Sequence, residues 1–121
     1  MRIPEDVRAA LAARLARHAA RRWKGRCRGV FVTFRGAFAY VDAYPAEEDD
    51  PTLTKEEKAR LDATPTHLCR LEYAGRRDLW GFAFYMYSDS RYERNVLPNG
   101  SWAGTPEECF DCAAMVYLQR R

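Results

Sequence analysis

Gly29-Val-Phe-Val-Thr-Phe-Arg35 and Ala37-Phe-Ala-Tyr-Val-Asp-Ala-Tyr44, separated by Gly36, decide the fold. Both runs are rich in β-branched and aromatic residues, and Arg35-Gly36 reads as a tight turn, so the pair predicts an antiparallel hairpin. With Phe34 facing Ala37, Val32 pairs with Ala39 and Val30 with Val41. Side chains alternate across a strand, so these residues share one small apolar face that suits a packed helix. The opposite face carries Phe31, Thr33, Phe38, Tyr40, Asp42 and Tyr44. This aromatic and polar mixture is either partly wet or covered by a second subunit of a homodimer.

Toward the N-terminus the period changes from two to 3.6. Pro4 suits a first helical position, and Glu5 and Asp6 favour the positive end of a helix dipole. Val7, Leu11, Ala12, Leu15, Ala16, Ala19 and Trp23 fall on one face at about 100° per residue. Arg14, Arg17, Arg21 and Lys24 form a neighbouring cationic stripe, which Arg26 and Arg28 extend into the first strand. Gly25 ends the helix.

Toward the C-terminus, Pro45 and Glu47-Glu-Asp-Asp-Pro51 read as an acidic loop, and Thr54 with Glu57 has the spacing of a capping box for a short helix near 55–62. Pro65 opens a strand over 66–73. A turn at 74–78 leads to a strand over 79–87 that is apolar on both faces and therefore interior to the sheet. An edge strand is expected over 91–97, stopped by Pro98-Asn99-Gly100. Thr105-Pro-Glu-Glu108 supplies an N-cap, a first-turn proline and a capping-box glutamate for a last helix. Cys109, Phe110, Ala113, Val116 and Tyr117 make its apolar face, and Arg120-Arg121 suit its negative end. The expected class is α+β: a mostly antiparallel sheet of four to five strands, with N-terminal and C-terminal helices packed on one face.

Two segments, Trp80-Gly-Phe-Ala-Phe-Tyr-Met-Tyr-Ser88 and Leu97-Pro-Asn-Gly100 through Gly104-Thr-Pro-Glu-Glu108, resemble a family of short uncharacterised bacterial proteins. That resemblance implies no activity. The helix–strands–helix order is also similar to double-stranded-RNA-binding domains. Their last helix begins with basic residues, whereas this one begins Glu107-Glu108, so that function is not carried over.

The 121 residues suffice for one domain, and the composition, 47% hydrophobic and 31% charged, excludes a disordered chain, a collagen-like fibre and a membrane span. Charge is uneven. Residues 1–28 carry nine basic and two acidic groups, a net of +7, and the remainder carries eleven basic and fifteen acidic groups, a net of −4. A basic arm on an acidic body points to an anionic partner such as nucleic acid, or to subunits that meet basic to acidic. Seventeen of the twenty cations are Arg, which a GC-rich genome also explains. The N-terminus has no apolar run of a secretory signal, and its Glu5 and Asp6 are foreign to a transit peptide. A cytoplasmic location with reduced cysteines is the expectation.

No phosphate loop, dinucleotide fingerprint, nucleophile elbow or His-Glu-x-x-His motif occurs, and only His18 and His67 are available for acid–base work. The expectation is therefore a non-catalytic module without a cofactor. His67 and Cys69 on a strand, with Cys109 and Cys112 on the last helix, would supply four ligand types for tetrahedral zinc if the elements pack together. The reading preferred here is buried thiols acting as small hydrophobes. The zinc-deaminase signature fails, because Cys69 stands where its catalytic Glu belongs. Tyr85, Tyr87, Ser88, Tyr92, Glu93 and Trp102, near the end of the fourth strand, are the candidate lining of a small-molecule pocket.

Overall fold

In the computed structural model, which describes residues 1–118, the hairpin consists of β1 (Cys27–Arg35) and β2 (Phe38–Pro45). Its loop is Gly36-Ala37. Gly36 takes φ +59°, a left-handed conformation that glycine adopts without a Cβ clash. Placing both residues outside the ladder sets Arg35 against Phe38, Phe34 against Ala39, Val32 against Val41 and Val30 against Ala43. The pairing is thus two residues later than the turn Arg35-Gly36 implies. A shift of two preserves the faces, so the apolar side stays as expected.

The other elements are α1 (Glu5–Arg22), α2 (Lys55–Asp62), β3 (Thr66–Tyr73), β4 (Trp80–Met86), β5 (Arg91–Arg94), β6 (Ala103–Gly104) and α3 (Pro106–Tyr117). Five strands lie in chain order, β1-β2-β3-β4-β5, and β6 pairs beside β5 on the free side of β4; every pairing is antiparallel. β5 stops at Arg94 rather than 97, and the two-residue β6 was not foreseen.

One face of the sheet presents Ala39, Val41, Ala43, Cys69, Leu71, Trp80 and Phe82, all buried against both terminal helices. α1 contributes Val7, Leu11, Leu15 and Ala19, followed by Trp23. Pro4 is the N-cap residue, one position earlier than expected, Ala12 is half-buried and Ala16 is exposed. α3 buries Cys109, Phe110, Ala113 and Ala114, and Leu118 follows them into the core. Val116 faces outward, in contrast to the expected face. Both capping boxes form, Thr54 with Glu57 and Thr105 with Glu108. Arg120 and Arg121 lie outside the described residues.

The helices are joined by side-chain bonds across most of the chain. Arg14 Nε donates to Glu107 at 2.6 Å, His18 Nε2 lies 2.7 Å from Asp111 Oδ1, and Trp23 Nε1 donates to that same oxygen at 2.8 Å. Among the described residues, no helix is long and apolar enough to cross a membrane.

Candidate binding sites

The stripe along α1 is only partly available. Arg14, His18 and Arg22 are spaced four residues apart, and Arg17 and Arg21 form a parallel row. Together with Glu107 these five line a groove of about 500 Å3. Arg14 is engaged by Glu107 and by the Arg77 carbonyl. Burial is the largest single influence on the Glu107 pKa and raises it, but the hydrogen bond and charge of Arg14, together with a backbone hydrogen bond, outweigh it and hold the carboxyl below its ordinary value. Arg26 stacks on Trp23, with its guanidinium carbon 4.5 Å from the ring centroid.

Arg28 does not continue the line. Its guanidinium donates to the carbonyls of Pro45 and Asp62 and lies over Tyr44, which turns it toward α2 and away from α1. Sequence spacing missed this because a strand residue follows sheet geometry, not helical phase. Arg17, Arg21, Arg22 and Lys24 are exposed, and none makes a hydrogen bond or ion pair among the described residues. Arg22 is the member that the sequence reading left out.

The four zinc candidates divide between two faces. β3 carries an extra residue, Leu68, opposite the Val41–Asp42 step, so Val41 pairs with Cys69 but Asp42 pairs with His67. Leu68 and Cys69 enter the core while His67 stays on the uncovered face, where its Nδ1 lies 2.8 Å from Asp42. The alternation that places residues 67 and 69 together is therefore broken. Among the described residues, no group of three or more His, Cys, Asp or Glu is arranged to hold a metal ion. Burial pushes the thiol of Cys69 well up and that of Cys109 up to about 12.

Of the expected pocket residues, three come together. Tyr85 lies edge-on to Tyr87 and Tyr92, with centroids 4.7 and 4.9 Å apart. Ser88 is in the exposed turn after β4. Glu93 pairs opposite the core-facing Phe84 and so lies on the other side of the sheet. Trp102 is 54% exposed beside Phe82, near the start of β4, under Arg94. Ser88, Glu93 and Trp102 thus do not join the tyrosines.

The uncovered face is better satisfied than its composition suggests. Arg70 covers Phe38 at 4.3 Å, Tyr40 meets Tyr92 edge-on, and Arg28 covers Tyr44. Phe31, 52% exposed, is the hairpin aromatic left open. Asp42, only 9% exposed, sits among these rings. A carboxylate inside a strand of otherwise apolar and aromatic residues was the available signal for this pair, but its partner depends on the bulge.

Beside His67 is a second cleft, of about 400 Å3, where Pro45, Leu61, Asp62, Pro65, His67 and Tyr87 meet. The chain matches no family model, no curated protein and no solved structure.

Proposed function

We propose that the protein is a non-catalytic binding module whose α1 contacts a polyanion, nucleic acid in the first place. The observation that carries this reading is the set of Arg17, Arg21 and Arg22 on a helix docked by its other side, with Lys24 in the turn that follows, all exposed and without ion pairs among the described residues. A cation held in place but not neutralised is ready to replace the counterions of a phosphate backbone. Arg14, spent on Glu107, serves to hold the groove instead.

Three to four phosphate contacts imply an affinity loss of about 40- to 150-fold between about 50 and 200 mM salt. The test titrates mixed-sequence DNA and RNA at both salt concentrations, with an Arg17→Glu, Arg21→Glu, Arg22→Glu variant beside the parent. Arg14 is left intact, because a glutamate there would face Glu107. Steep salt dependence that disappears in the folded variant supports the reading. No binding at low salt, or equal binding by the variant, refutes it.

A further inference from the structure

The cleft beside His67 has a hydrogen-bonding pattern that the polyanion reading does not use. A carboxylate can only accept, so the proton of the His67–Asp42 bond resides on Nδ1. In the neutral imidazole the Nε2 lone pair is then an acceptor, with no partner among the described residues. The His67 backbone N–H donates to Tyr87 Oη at 2.7 Å. The Tyr87 hydroxyl proton, in turn, meets no acceptor among the described residues. One open acceptor and one open donor thus belong to neighbouring residues on the same cleft, with the two rings stacked at 6.2 Å.

The surrounding chemistry narrows the ligand. Pro45, Leu61 and Pro65 give apolar walls, and Tyr87, 49% exposed, adds an aromatic surface. No Lys or Arg lines the cleft, whereas Glu48 and Asp62 do. Both carboxylates already accept hydrogen bonds, Asp62 from Lys58 and the Glu48 N–H, and Glu48 from the Asp49 and Asp50 N–H groups. They disfavour an anion. A hydroxyl both gives and takes one hydrogen bond, and a volume of about 400 Å3 is at the small end of ligand sites.

We propose that this cleft binds a small neutral phenol, its O–H donated to His67 Nε2 and its oxygen accepting from the Tyr87 hydroxyl. The ring then lies against the proline, leucine and tyrosine walls. This site uses β2, β3 and α2, and it stands or falls independently of α1.

The experiment titrates the full chain with 4-methylphenol, toluene and benzoate while following the imidazole nitrogens of His67 by NMR. The expected result is a saturable shift of Nε2 with 4-methylphenol, about tenfold weaker binding of toluene, which corresponds to about 1.4 kcal/mol, and no saturable shift with benzoate. A Tyr87→Phe variant is expected to lose affinity for 4-methylphenol and keep that for toluene. If the variant does not fold, the ligand series on the parent decides alone. Absence of saturable binding by 4-methylphenol, equal affinity for toluene, saturable binding of benzoate, or a Tyr87→Phe variant that binds 4-methylphenol as well as the parent overturns the proposal.

Discussion

Phe110 joins three parts of the molecule. It is 1% exposed, and its ring stands edge-on to both His18 and Trp23 of the N-terminal region. Phe110→Ala removes that packing and leaves a cavity, with an expected cost of about 3–5 kcal/mol. Cys112, half-buried at the rim of α3, is expected to tolerate Ser at far lower cost. Denaturant unfolding of the two variants checks this, and equal losses would contradict the orientation of α3. Buried positions at the centre of a helical face were legible in the sequence, as Leu11, Leu15 and Phe110 show. Those to either side were not: from the direction midway between Phe110 and Tyr117, Ala114 lies about 50° away and Val116 about 110°, so misplacing the centre of the face by about 50° exchanges them.

At the scale of elements, α2 and α3 begin with the same device and differ in everything that follows. Both have a complete capping box, but α3 buries five side chains and α2 buries none. α2 is instead tied by polar contacts: the Thr54–Glu57 box, Lys58 with Asp62, and the Asp62 carboxylate on the Glu48 N–H. Hydrogen bonds hold the carboxyls of Asp50, Glu57 and Asp62 below their ordinary values of 3.8 for Asp and 4.5 for Glu. A carboxyl with a depressed folded pKa gives stabilisation that is complete above its unfolded value and lost as pH falls through the folded value. Residues 47–62 are therefore expected to lose amide protection on acidification while β3 retains it. Simultaneous loss in both segments would contradict this. Caps are local and were legible from spacing alone. The bulge at Leu68 was not, because it exists only relative to β2, and β6 was too short to give a period.

At the scale of the molecule, the sheet and the helix pair make opposite demands on the chain. The five strands lie side by side in sequence order, so each pairs with its predecessor, through a short connection except between β2 and β3, where α2 intervenes. The class of fold was legible for this reason: every strand pair on that path is a sequence neighbour, and alternation assigned the core face of the hairpin. The contact of α1 with α3 spans 93 residues between Arg14 and Glu107, and likewise between His18 and Asp111. No sequence spacing reveals such a contact. Its bonds converge on Asp111, whose Oδ1 is shared by His18 and Trp23. Asp111→Ala leaves both without that acceptor, with an expected cost of about 1–3 kcal/mol.

The distance spanned by that contact also sets an order of events. A meander can assemble strand by strand, each step closing a loop far shorter than the span between the helices, whereas pinning the two helices requires most of the polypeptide to be in place first. The helix pair is then expected to act as a clasp that shuts after the rate-limiting step. Asp111→Ala is accordingly expected to accelerate unfolding by nearly the whole of its stability loss and to leave the refolding rate almost unchanged. Stopped-flow chevron measurements read both rates, and a variant that refolds slowly but unfolds normally would place the clasp in the nucleus instead. A protein secured in this way persists by the slowness of its opening, so the residence time of the native state depends on a few polar atoms where its two ends meet.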